Sequence, residues 1–168
     1  YSINVTTLAT PSSWLGATSG IISPLHTADV SANAGAPTGP VLSAAGWGTT
    51  LTAGTVTIGV QNSSGTVTNT TVTVATTDTL KDVLVKLDTA IGSTGVATYS
   101  SANDQVTIAR PAGTNLILGS ASDTSNLLSC LKLFTPAPGA NAVSDSKLGS
   151  LKLSASLSSQ PLTTPLTY

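Results

Sequence analysis

The chain has 168 residues, with six Lys or Arg against seven acidic residues and a formal net charge of −1, a field too weak to steer nucleic acid or an anionic membrane surface. Its apolar fraction of 40% is enough for one good core or two small ones and argues against a disordered segment, yet only 8% of residues are charged, and Glu and Met are absent. Polarity is carried by Ser and Thr, about a third of all residues, which suits strands with hydroxyl-lined faces.

No apolar run reaches the roughly 18–20 residues that cross a bilayer, and the first residues lack the basic start and apolar core of a secretory signal. The first expected structure after the opening lies in residues 11–40, a stretch rich in Ser, Ala, Gly and Pro that still holds Trp14, Leu15, Ile21, Ile22 and Leu25. A structureless loop of that length is unusual in a compact domain, so a short strand is expected over residues 20–25, with Trp14 packed against the body or exposed at a subunit interface.

Val56, Ile58 and Val60 alternate with small or polar residues, as do Val67, Thr71, Val72 and Val74 across the turn Asn62-Ser63-Ser64-Gly65. That period of two predicts a half-buried hairpin. The period then changes to 3.6: Leu80, Val83, Leu84, Leu87 and Ile91 share one helical face, with Lys81, Asp82, Lys86 and Asp88 assigned to the other. Asp78 and Thr79 offer N-cap oxygens, Thr79 with Asp82 matches a capping box with the shorter acid, and Gly92 stands where a left-handed C-terminal residue belongs. Three further strand-like runs, a Leu-rich helical segment from Leu127, and a Pro-broken linker over residues 135–141 follow. Leu148, Leu151, Leu153 and Leu157 predict a last strand.

Catalytic machinery is sparse. His26 is the single histidine, which removes Ser-His-Asp and multi-histidine metal arrangements; in Ser23-Pro24-Leu25-His26-Thr27-Ala28-Asp29 it reads as a surface turn. Cys130 is the single cysteine, so no intrachain disulfide can form, and its Leu-rich surroundings predict a buried thiol. Asp78, Asp82 and Asp88 lie on or beside one helix, and no Glu accompanies them to suggest a glycosidase pair. Gly46-Trp47-Gly48 and Ala53-Gly54 lack the Lys and helix start of a phosphate loop and read as turns. Three N-glycosylation triplets, beginning at Asn4, Asn62 and Asn69, are expected by chance in so hydroxyl-rich a chain. The scattered cations Lys81, Lys86, Arg110, Lys132, Lys147 and Lys152 form no nucleic-acid footprint. No catalytic, cofactor-binding or metal-binding residue is therefore assigned, and no enzyme activity is expected.

The strings Leu42-Ser43-Ala44-Ala45-Gly46-Trp47, Thr52-Ala53-Gly54-Thr55-Val56-Thr57-Ile58 and Thr77-Asp78-Thr79-Leu80-Lys81-Asp82-Val83-Leu84 resemble the flagellin hook IN motif of bacterial flagellar proteins. Gly95-Val96-Ala97-Thr98-Tyr99, Asn103-Asp104-Gln105-Val106-Thr107-Ile108, Ile117-Leu118-Gly119-Ser120 and Asp123-Thr124-Ser125-Asn126-Leu127-Leu128 resemble its later strands and helix. The opening Tyr1-Ser2-Ile3-Asn4-Val5-Thr6-Thr7-Leu8-Ala9 is similar to the strand that enters the outer head of the flagellar filament-capping (hook-associated protein 2) family. Single pieces are unspecific, and the resemblance rests on their order and spacing.

The resemblance implies an α+β, mainly β fold with antiparallel strands and two or three short helices. It divides the chain into an opening strand and irregular segment (1–40), a hook IN-like β-rich domain (41–134), and a linker with a return strand (135–168). The first and last strands are expected to be neighbours. The implied function is that of a structural head domain of the extracellular flagellar cap, supporting cap assembly and flagellin insertion at the filament tip. Flagellin and neighbouring cap subunits are the implied partners. Lacking the family's long terminal helices, the chain is expected to be an excised outer region, monomeric by itself although the whole protein is oligomeric. Two alternatives remain: the variable outer domain of a flagellin or another hook-associated protein, and a surface adhesin binding host glycans through Trp14, Trp47, Tyr1 or Tyr99.

Overall fold

The computed structural model describes residues 23–92, 96–150 and 162. In order these form β1 (Val30–Ser31), β2 (Gly54–Gln61), β3 (Val67–Val74), helix α1 (Leu80–Ile91), β4 (Ala97–Ser100), β5 (Gln105–Ile108), β6 (Asn115–Leu118), helix α2 (Leu127–Cys130) and β7 (Ala142–Val143). The fold is α+β and mainly β, with antiparallel strands and two short helices among the described residues, as expected.

The hairpin forms as read. β2 and β3 pair antiparallel from Gly54 with Val74 to Gln61 with Val67, without a bulge. Asn62 organises the turn: its side-chain oxygen accepts the amides of Ser64 and Thr66, and Gly65 supplies the left-handed φ of 83° that the reversal requires. β6 adds on the other side of β2, giving a three-stranded sheet in the order β3-β2-β6. Val56, Ile58, Val72, Val74, Leu116 and Leu118 are buried on its inner face. The second sheet, β1-β4-β5-β7, is antiparallel throughout and buries Val30, Ala97, Tyr99, Val106, Ile108 and Ala142. These face-sharing residues follow from the register, which sets Val30 opposite Tyr99, Tyr99 opposite Val106 and Ala97 opposite Ile108.

Helix α1 joins the two sheets. Leu80, Val83, Leu84, Leu87 and Ile91 are buried in the same hydrophobic cluster as both inner faces. Each such side chain contributes about 1.5–3 kcal/mol relative to exposure. All four leading amides of α1 have acceptors: Pro40 O for Leu80, Thr38 O for Lys81, the Thr79 hydroxyl for Asp82 and Thr79 O for Val83. The capping box closes although Asp replaces Glu, because Asp82 Oδ2 takes the Thr79 amide at 2.8 Å. Gly92, at φ 79°, ends the helix. Thr79→Ala is expected to lower stability by about 1 kcal/mol, read as a lower denaturant midpoint with unchanged m-value.

Several expectations change. Residues 23–25 carry no strand, and residues 20–22 of the strand expected there fall outside the described residues; among the described residues pairing begins at Val30, where β1 meets β4. The Leu-rich segment from Leu127 keeps a single helical turn, because Lys132 adopts φ 51° and its carbonyl accepts the Asp145 amide, turning the chain out of the helix. Asp88, assigned to the polar face of α1, is buried at 3% exposure, and its Oδ1 accepts the Ala97 amide. Residues 135–141 are irregular with a turn at 138–139, as expected, and they lie against β6, with the Thr135 hydroxyl on Leu118 and the Gly139 amide on Asn115. The core cluster also draws Val30, Ala142 and Leu148 into contact with the central segment. The expected strand over residues 2–8, Trp14, and residues 151–157 of the strand expected over 148–157 fall outside the described residues; Leu148 is described, buried and not in a strand.

Candidate functional site

The ionisable side chains form clamps on the backbone. Six of the seven aspartates accept main-chain amides: Asp29 from Ser101, Asp78 from Ala75, Asp82 from Thr79, Asp88 from Ala97, Asp104 from Leu25 and Gly149, and Asp123 from Thr57 and Ser120. Such charge-assisted bonds are stronger than neutral ones, and they occur where the chain leaves a strand or enters a helix. The most connected is Asp104, 3% exposed, at the tight β4–β5 turn with φ 53°. Its Oδ1 accepts the Leu25 amide and the Tyr99 hydroxyl, each at 2.8 Å, and its Oδ2 accepts the Gly149 amide at 2.8 Å. Tyr99 Oη also accepts the His26 amide. Burial, opposed by the His26 hydrogen bond and supported by Asp104, pushes the phenol well above its ordinary range.

Three other carboxyls are held below the usual range. For Asp29 the cause is the Ser101 amide and then its hydroxyl; for Asp82 it is the Thr79 amide and hydroxyl. At Asp123 burial pulls upward, but the Thr57 hydroxyl and the amides of Thr57 and Ser120 outweigh it. Because folding lowers these pKa values, the stability they contribute is present above the unfolded value near 3.9 and lost as pH falls through the folded values. The thermal midpoint is therefore expected to stay level from pH 7 to about 5 and to drop below about pH 4. Asp123→Asn should lower the neutral-pH midpoint and flatten the acid limb.

Among the described residues one long sheet edge is open. Thr57 directs its amide to Asp123 and its carbonyl to the Gly119 amide, so the odd-numbered residues of β2 face away from β3. Val56, Ile58 and Val60 are then the residues bonded to β3, and the antiparallel register leaves Val67, Asn69, Thr71 and Thr73 with outward N–H and C=O groups. Among the described residues nothing pairs with them. Beside this edge runs an open groove of about 350 Å³ between β3 and α1, lined by Thr70, Val72, Thr73, Val85, Lys86 and Thr89 among others. Its floor is largely apolar, Val85 is 39% exposed, and Lys86 is paired with Asp78. A smaller hollow of about 220 Å³ adjoins Leu42, Trp47 and Leu51.

The residues singled out in the sequence do not converge. His26 is half-buried and meets Tyr99 through its main chain, while the Asp29 carboxylate is engaged by Ser101. Cys130 is buried as expected, which raises its thiol pKa. Asp78 and Asp82 share the start of α1 as read, whereas Asp88 faces the core. Trp47 is 3% and Tyr99 1% exposed, so neither is a sugar-stacking platform; Trp47 Nε1 instead donates to Leu42 O at 2.8 Å. Trp14 and Tyr1 lie outside the described residues. Among the described residues no three His, Cys, Asp or Glu side chains are grouped to hold a metal ion, and no helix is long and apolar enough to cross a membrane. Sequence reading missed Asp104 and the open β3 edge. The first has a signal, an Asp in the tight Ala102-Asn103-Asp104 reversal between two alternating runs; the second has the absence of Pro, Lys or any charge from Val67 to Val74. Comparison with known protein families, with curated proteins and with solved structures returns no match.

Proposed function

We propose that this chain is a noncatalytic contact domain, the outer head of a bacterial flagellar filament cap, acting outside the cell with flagellin and neighbouring cap subunits as partners. The observation that carries the reading is how the ionisable side chains are used: six of seven Asp carboxylates are committed to backbone amides while an uncharged strand edge has no partner among the described residues. A fold whose carboxylates mostly hold its own loops, and whose β3 edge offers neutral hydroxyl and backbone groups, is suited to packing beside like surfaces, where repetition in an assembly offsets weak single contacts. The order of the hook IN-like strings gives the cap its place ahead of other contact roles. No cofactor enters this reading.

Immunogold labelling of producing cells, with antibody raised against this chain, tests it. Label confined to filament tips is the expected result. Label along the filament would favour the outer domain of a flagellin or another hook-associated protein. Label on the cell body, with glycan binding lost on Trp14→Ala, would favour the adhesin.

A further inference from the structure

The edges of the two sheets are treated unequally. At β6 the outward groups of Leu118 are both occupied by the Thr135 hydroxyl, which accepts its amide at 2.9 Å and donates to its carbonyl at 3.2 Å. β1 and β7, the edges of the other sheet, are two residues long. β3 is eight residues long, unbulged, and carries no Pro, Lys or inward charge, the devices by which sheet proteins block edge pairing. Its open window has defined ends. On one side the Ala75 amide is taken by Asp78 Oδ2; on the other the chain turns at Asn62 and Gly65.

We infer that the β3 edge is a self-association surface, at which a second copy of this chain pairs antiparallel through its own β3 about a two-fold axis at Thr70. The window selects that register. With the axis at Thr70, Val67 meets Thr73 of the second copy and Asn69 meets Thr71, so all four outward residues are used, each pair exchanging two hydrogen bonds. An axis at Thr71 would set Val67 against Ala75, whose amide Asp78 already holds. The strand is also chemically complementary to itself. It is neutral, so no like charges meet, and the only cation of the groove, Lys86, is neutralised by Asp78. On the groove side Thr70 faces Thr70, and Val72 faces Thr68, all over the apolar floor that Val85 leaves exposed. The result is a continuous six-stranded sheet with closed, isologous symmetry, which explains how an edge this long avoids open-ended stacking. A sheet edge is an association route independent of terminal helices, so it replaces the monomer expected of the chain by itself with a dimer. The inference does not depend on the flagellar reading.

Sedimentation velocity across a concentration series, paired with cysteine cross-linking in a Cys130→Ala background, tests it. The chain is expected to show a dimer whose fraction rises with concentration. Thr71→Pro removes an outward N–H at a position where an edge strand tolerates proline, and should shift the boundary to monomer with the strand signal of circular dichroism retained. Thr70→Cys should form a disulfide dimer on mild oxidation, because the two-fold puts this non-hydrogen-bonded pair face to face. Thr68→Cys should not, its symmetry mate lying four residues away along the strand, about 13 Å. If Thr71→Pro fails to fold, the cysteine pair decides the matter. A chain that stays monomeric throughout the series, a folded Thr71→Pro that still dimerises, or cross-linking of Thr68→Cys as fast as Thr70→Cys overturns the inference, the last pointing to another occupant or register.

Discussion

Asp104→Ala is expected to destabilise the fold by about 3–5 kcal/mol, a fall in thermal midpoint on the order of 10 °C for a chain of this size. The substitution strands two amides, from Leu25 and Gly149, and removes the shorter of two acceptors open to the Tyr99 hydroxyl, leaving it the His26 carbonyl at 3.0 Å. A buried donor left without its acceptor costs about 1–3 kcal/mol. Alanine also tolerates the φ of 53° less well than aspartate, whose short polar side chain supports a left-handed turn. Asp104→Asn keeps the turn preference and one acceptor oxygen, so roughly half the loss is expected. Tyr99→Phe removes the hydroxyl alone and should cost about 1–2 kcal/mol. Hydrogen exchange supplies the mechanism-specific readout: the Leu25 and Gly149 amides should lose protection in Asp104→Ala before the β2–β3 ladder does. Equal loss everywhere, or a denaturant midpoint within 1 kcal/mol of the parent, would show that the clamp is redundant.

Asp104 also marks where sequence reading stops. From Gly54 to Ile91 the structure is close to the expectation because a single physical rule governs each stretch: alternation along a sheet with one wet face, then a 3.6-residue stripe against the core. The buried thiol of Cys130 follows from its neighbours in the same way. Asp88 failed because its charge was allowed to outrank its position. It stands four residues after Leu84 and three before Ile91, on the apolar stripe, and a carboxylate there faces inward once the Ala97 amide meets it. That amide belongs to the next element, so local pattern contains no trace of the partner. β1, β7 and the shortening of α2 have the same character. Two-residue strands are made by their neighbours, and the helical run after Leu127 gives way where Lys132 is held by the Asp145 amide and by its own Nζ on the Lys147 carbonyl. The open edge of β3 is different again: whether a strand lies inside or at the border of a sheet is set by topology, and the Thr-rich string reads alike in both settings.

Gly54→Ala is expected to cost about 3–4 kcal/mol, more than any other substitution of a single hydrogen by a methyl group in the hairpin, since backbone strain and displaced hydrogen bonds act together. Gly54 opens β2 with φ 152°, in a region that side chains with a Cβ rarely enter. A Cβ placed there would lie 2.8 Å from the Thr124 carbonyl carbon and 2.9 Å from the Ser125 nitrogen. Those are main-chain atoms, so no rotamer change relieves the contact. The amides of Thr124 and Ser125 both donate to Thr55 O, at 3.1 and 3.0 Å, and the Thr55 amide donates to the Thr124 hydroxyl. Displacing residues 124–125 therefore detaches the segment that covers the start of β2, together with the Asp123 clamp on Thr57. Gly65→Ala separates the two causes. Its φ is 83°, but an added Cβ meets nothing within 4 Å, so strain alone remains and about 1 kcal/mol is expected. Equal midpoints for the two variants in urea would mean that the segment yields freely. A gap of about 2 kcal/mol, with the Thr57 amide exchanging faster only in Gly54→Ala, would show that close approach to Thr124 and Ser125 is what reserves this position for glycine.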